Sequence, residues 1–225
     1  MSLIKKNPFF KILTMLGGCF CLLLFSGCIN LPKNSEKHKL FYLKMLPFSQ
    51  EEQKALRPVK WQLIIEDPSC DGRLNTDRII VQESSAEITH IAGARWVDRL
   101  PNLIEQLLLN LFENSEKIKG VGPSLDGLDA DYVLLVDIRD FELLVQETKK
   151  VRVRLFAKIM RLRDREIVGA ETFEDIIPIE QNSSKEVIEA FLVAANNVGK
   201  KIVIWSLEAP DDPSFQKNEP QIQSD

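Results

Sequence analysis

Catalysis needs a nucleophile, a base or a set of metal ligands, and few residues of this 225-residue chain qualify. Neither of its two histidines, His38 and His90, has a cysteine or another histidine at metal-ligand spacing. His90 stands between Thr89 and Ile91 in a strand-like stretch, which suits a residue on a sheet surface better than a base. Asp126, Asp129 and Asp131 share one loop and carry the oxygen ligands that calcium prefers. Their spacing is not that of a helix–loop–helix calcium site, and no glutamate closes the loop, so they read as solvated acids. The serine-hydrolase elbow, the zinc-protease helix motif and the phosphate-binding loop are all missing from the sequence. No catalytic residue and no metal site is therefore expected.

The remaining reactive type is cysteine. The stretch Leu22–Asn30, LLLFSGCIN, ends an apolar run of 14 residues from Ile12 to Phe25. A bilayer core needs about 20 helical residues, so this run is too short to span it. Lys5, Lys6 and Lys11 are the only charges before it, and small residues follow it. A basic start, a short apolar core and a small-residue exit describe a secretory signal over residues 1–27. The Ser26-Gly27-Cys28 ending resembles the bacterial lipobox, whose cysteine takes a diacylglycerol on sulfur and, after cleavage, an acyl chain on its new amino terminus. Cys28 is thus the expected lipidation site. These lipids are the only group expected to be bound, with no cofactor. Two or more chains hold a protein firmly to a membrane, where one does not. In the lipoprotein pattern an aspartate after the cysteine favours the inner membrane. Ile29 stands there instead, which implies the outer membrane of a Gram-negative cell, facing the periplasm.

Cleavage after Gly27 would remove three lysines and no acid, taking the net charge from −4 to −7. An acidic chain without a basic cluster speaks against nucleic acid as a partner. Cys19 and Cys21 leave with the signal, so Cys70 would be the one free thiol, without an intramolecular partner.

Elements must hold whatever surface this chain uses. Residues 28–37 read as a polar tether, 38–208 as one folded domain and 209–225, with three prolines, as a disordered tail. KLFYLKML and WQLIIED read as strands, and DRIIVQES with AEITHIAG as a hairpin. From Val97 the period changes: Leu100, Leu103, Ile104, Leu107, Leu108, Leu111 and Phe112 recur at helical steps, with Asp98 placed to cap the start. KGVGPSLDGLDAD reads as a turn-rich link. Three long strand-like runs follow, and in the middle one Val151, Val153, Leu155, Ala157 and Ile159 alternate with Arg152, Arg154, Phe156 and Lys158. One face of that strand is apolar and much of the other charged. Ser183 and Glu186 match a capping box ahead of a helix whose apolar face ends at Trp205. The expected fold is α/β: a mixed, largely antiparallel sheet packed with two main amphipathic helices.

One stretch is specific. LNTDRIIVQESSAEITHIAGARWVDRLPNLIEQLLLNLFENS, residues 74–115, followed by DYVLLVDIRDFEL, VRVRLFAKIMR, ETF and a helix ending in Trp205, resembles the ABC-type transport auxiliary lipoproteins. That family includes paraquat-inducible protein C. The resemblance implies a fold similar to the amino-terminal domain of TolB and a non-enzymatic role in moving lipid between two membranes. The partners it implies are an MCE-domain protein forming a hydrophobic conduit and an ABC transporter or related inner-membrane components. The auxiliary lipoprotein would dock the conduit at the outer membrane, and a ring-like homo-oligomer would suit a symmetric conduit. The docking surface is placed at Arg95, Trp96, Asp98 and Arg99, because tryptophan and arginine are enriched at interface hot spots. A core role for Trp96 is an equal alternative. Two other roles stand beside docking: a carrier that holds lipid in a deep cavity of its own, and a general envelope scaffold.

Overall fold

The computed structural model describes residues 38–146, 148–181 and 183–209. The signal segment, Cys28, the tether and residues 210–225 lie outside the described residues.

Strand β7 (Tyr132–Leu144) is the axis of the sheet. Along one edge it pairs antiparallel with β8 (Lys150–Arg161), which pairs in turn with β9 (Glu166–Pro178). Along the other edge three short strands dock parallel to it, one after another. They are β2 (Gln62–Ile65) at Tyr132–Leu134, β3 (Ser69–Cys70) at Asp137 and Ile138, and β4 (Arg78–Gln82) at Glu142–Leu144. β4 and β5 (Ile88–Trp96) make the expected hairpin, closed by the Glu83 and Ser84 N–H groups donating to Glu87 C=O. β1 (Lys39–Phe41) lies parallel to β5 at one margin, and β6 (Gly120–Pro123) lies parallel to β2 at another. The sheet is mixed, and its long pairings are antiparallel.

The helices are α1 (Gln50–Ala55), α2 (Leu100–Ser115) and α3 (Ser184–Glu208). α2 and α3 pack on each other, and α3 lies over β8 and β9. The alternation in β8 is realised: Val151, Val153, Leu155, Ala157 and Ile159 are all buried, and their neighbours are half-exposed. Side chains alternate across a strand, so the apolar row faces the helices and the charged row faces away.

Several local readings are corrected. KLFYLKML is a strand only over Lys39–Phe41, because the chain beyond turns away to lay Leu43 and Phe48 in the core. Gly120–Pro123 is a strand rather than a turn; paired on one edge only, it tolerates its proline. The residue capping α2 is Arg99, without a side-chain cap. Asp98 instead accepts the Arg99 N–H at 2.6 Å and the Asn102 side chain at 3.0 Å. Pro101 falls in the first turn, where it removes no helical bond. At α3 half of the capping box forms: Ser183 Oγ accepts the Glu186 N–H, while the Glu186 carboxylate accepts Glu180 and Gln181 N–H. Ala209, read as the first residue of the tail, is buried where α3 ends.

Candidate functional site

The corner where β5 hands over to α2 carries the four residues singled out from the sequence, and burial divides them. Trp96 is 2% exposed. Its ring meets Phe141 edge-on at 5.8 Å and Phe191 at 5.6 Å, and those two stack at 4.9 Å. Strand β5, strand β7 and helix α3 are joined through this aromatic cluster. Trp96 is thus the anchor beneath the corner and offers no surface to a partner.

The other three stay accessible. Arg95 points to the opposite face and holds both oxygens of Asp77 at 3.0 and 3.1 Å. Asp98 sits below the ordinary carboxylate range, held there first by the Asn102 amide and then by the Arg99 N–H. Arg99 reaches Asn75 at 3.4 Å. The corner is therefore a rim of charges with local partners around a buried indole.

β1 adds what sequence reasoning missed. Leu40 and Tyr42 are each 63% exposed, and Val97 is 55% exposed. Leu40 lies opposite Arg95, and the Val97 N–H donates to Phe41 C=O at 2.7 Å. Alternation puts Phe41 and Trp96 inward and Leu40 and Arg95 outward, and the exposed Tyr42 and Val97 follow directly after the two strands, where the Val97–Phe41 bond continues their pairing. The signal was present in KLFYL, where alternate residues Leu40 and Tyr42 share one side, but it reads equally as a buried strand.

The remaining reactive groups are structural. Burial, then Arg78 and Arg95, push the His90 imidazole below its usual value and favour the neutral ring. Burial, then Asp71 and Asp137, push the Cys70 thiol up, away from the nucleophilic thiolate. Asp131 accepts the Gln62 N–H at 2.8 Å, and Asp129 C=O accepts the Gln62 side chain at 2.7 Å, so this loop braces the start of β2. Among the described residues no three His, Cys, Asp or Glu side chains converge as metal ligands.

On the outer sheet face Asp140 and Glu142 are buried, at 4% and 1% exposure. Arg152 donates to both, at 3.1 and 2.8 Å; Arg73 reaches Glu142 at 2.5 Å, and Arg154 Nε reaches Asp140. Two carboxylates ringed by three guanidiniums form an ion network, extended by Arg73 to Asp71 at 2.9 Å, which suits structure rather than proton transfer.

The family model for the ABC-type transport auxiliary lipoprotein component matches residues 43–203, almost the whole described domain. The chain belongs to that family. The fold is similar to the crystal structure of protein XCC0632 from Xanthomonas campestris. The TM-score is 0.71 at 26% identity, covering 78% of this chain and 98% of that one. An uncharacterised protein of Bradyrhizobium diazoefficiens is 24% identical over 155 residues, 69% of this chain and 42% of that protein. The chain spans less than half the length of that relative.

This auxiliary lipoprotein belongs to a family of transport components rather than of enzymes. Among the described residues, no helix of the auxiliary lipoprotein is long and apolar enough to cross a membrane. A groove of ≈ 620 Å³ lies between β1, β5 and the start of α3. Phe41, Ala94 and Ile188 line it, with Lys39 and Lys185 beside them. The small residues Ala92, Gly93 and Ala94 leave this space, and a Cβ built on Gly93 would meet nothing within 4 Å.

Proposed function

We propose that this auxiliary lipoprotein is held in the outer membrane by diacyl and acyl chains on Cys28, faces the periplasm, and docks an MCE-domain conduit of an ABC-type lipid transport system. The observation that carries this reading is the pairing of a family match over the folded domain with a lipobox-like Ser26-Gly27-Cys28 ahead of it. Lipidation confines the domain to one surface and raises the effective concentration of a weak interface without adding contacts. The domain itself needs to supply a rigid rim, and no reaction. Arg95, Asp98 and Arg99 are the proposed contact residues, supported from beneath by Trp96, and a homo-oligomer would multiply that rim around a symmetric conduit.

A lipid carrier is the second reading: the groove beside β1, lined by Phe41, Ala94 and Ile188, has a volume of ≈ 620 Å³, within the size of ligand-binding clefts.

Affinity capture of the full-length lipoprotein from crosslinked envelopes, with mass spectrometry of co-purifying proteins and lipids, tests the proposal. An MCE protein recovered with the lipid-modified chain, and reduced by Arg99→Glu, is the expected outcome. Stoichiometric phospholipid on the chain without an MCE protein would sink docking and promote the carrier.

A further inference from the structure

We infer that Leu40, Tyr42 and Val97 form a membrane-contact face, with which the domain lies against the bilayer that holds its own lipid anchor. The inference rests on lipidation at Cys28 and extends the proposed function by fixing which side of the domain meets the membrane.

The three side chains form one outward patch, set by the pairing of Leu40 with Arg95 and the Val97–Phe41 hydrogen bond. Leu40 belongs to the first strand of the domain, Tyr42 follows that strand and His38 directly precedes it. Residues 28–37 reach at most about 33–36 Å, so β1 cannot stray far from whatever surface holds Cys28. Leucine, valine and a tyrosine, bordered by Arg95 and Arg99, make a composition suited to the bilayer interface, where amphipathic rings and arginines sit at headgroup depth.

A bilayer fits this patch better than a protein does. Three side chains expose only a few hundred Å² of apolar surface, below the ~600 Å² that each partner of a stable protein interface buries. At three residues, β1 also offers little backbone edge for strand addition. A membrane needs neither area nor matching shape, because the covalent anchor already supplies the affinity. The chain is net acidic, so the contact is apolar rather than electrostatic and should survive high salt. Placing the patch on the membrane also leaves Asp98 and Arg99 at the bilayer's margin, where a conduit discharging into that bilayer must end.

The test places spin labels on the full-length lipoprotein in a Cys70→Ala background, at Tyr42→Cys, Val97→Cys and, as control, Leu125→Cys. Leu125 is 95% exposed and stands after β6 at another margin of the sheet. The protein is reconstituted through its own anchor into phosphatidylethanolamine–phosphatidylglycerol vesicles. Collisions with dissolved oxygen and with a water-soluble nickel complex are then measured. Labels at 42 and 97 should lose nickel access and gain oxygen access, at low and high salt alike, while the label at 125 keeps its nickel access. Equal nickel access at all three positions would overturn the inference. So would shielding from nickel without oxygen enrichment, which marks a protein cover. Mass spectrometry of the same preparation reads Cys28 separately. An unmodified cysteine would sink the anchor reading, and the same labels on a chain with Cys19, Cys21 and Cys28 also replaced by alanine, added to the vesicles, then decide the patch by the same criteria.

Discussion

Asn196, in the middle of α3, accepts the Leu46 N–H on its side-chain oxygen at 2.6 Å, across 150 positions of sequence. Its amide nitrogen donates to Lys44 C=O at 2.9 Å and to Leu192 C=O at 2.8 Å. One buried asparagine thus stands in for a strand partner where the chain leaves β1. Asn114 does the same at the end of α2, accepting the Phe48 N–H at 3.0 Å. Replacing Asn196 with leucine leaves two backbone groups and no substitute partner. Each buried unsatisfied group costs about 1–3 kcal/mol. Thermal unfolding should fall by ~2–4 °C for each kcal/mol lost. A melting temperature within a degree of the parent would show that water replaces the clip.

The network of Asp140, Glu142, Arg73, Arg152 and Arg154 makes a second prediction. Removing one partner from a buried ion network leaves a charge without compensation, at a cost of about 3–5 kcal/mol. Glu142→Ala removes the bonds accepted from Arg73 and Arg152, but Asp71 and Asp140 still pair those guanidiniums, so the loss should fall below that figure, at about 1.5–3 kcal/mol. Salt separates this network from a surface pair, since buried charges are poorly screened. Denaturation at low and high salt should give the same loss. A loss that disappears with salt would mean the network behaves as exposed.

Acid should loosen the start of α1 before it unfolds the domain. The Glu52 carboxyl lies below its ordinary range, chiefly through the Ser49 backbone N–H it accepts at 2.5 Å and then through Lys200 at 3.1 Å. Burial opposes this shift but does not reverse it. A folded value below the unfolded one means the stabilisation is complete above the unfolded value and is lost as pH falls through the folded one. The protection of the Ser49 amide, taken relative to its intrinsic exchange rate at each pH, should therefore fall as pH drops into the acidic carboxylate range. Glu52→Gln, whose amide oxygen can still accept that N–H, should keep the protection and remove the pH dependence. A titration unchanged by that substitution would assign it to another group.

How much of this was legible beforehand depended on length and period. β8 announced itself through five alternating apolar residues, and α2 through a stripe from Leu100 to Phe112, since a long element repeats its own evidence. β3 and β6 are too short for periodicity to show, and their pairing with β7 and β2 decides them. α1 is different. Ser49 and Glu52 form a complete capping box there, the same signature used at Ser183, but the six residues carry no apolar stripe to mark a helix. At the candidate site, sequence marked the β5–α2 corner and left Trp96 open between core and surface. Residue type alone does not resolve that choice: arginine beside tryptophan suits either, and only the register with Phe41 separates the two faces. The ion network escaped notice because Asp140 and Glu142 look like the polar side of a strand until Arg73 arrives from a distant loop.

Gly199 sets two ordinary effects against each other. It lies inside α3, where alanine would favour the helix by about 0.8–1 kcal/mol. A Cβ at this position would sit 2.5 Å from Leu111 Cδ1, with Leu108 at 3.8 Å and Leu107 at 4.0 Å. Leu111 is fully buried, so its side chain has nowhere to retreat. Overpacking of this kind costs about 1–3 kcal/mol. The clash should win: Gly199→Ala is expected to destabilise despite its better propensity, as read by urea denaturation. Leu111→Ala by itself should also destabilise, by emptying part of the core. Combined with Gly199→Ala it opens room for the new methyl, so the double variant should be more stable than the two separate losses add up to. Strict additivity would mean that α3 shifts as a body to accept the methyl. The close approach of α2 and α3 would then not depend on the missing side chain at Gly199.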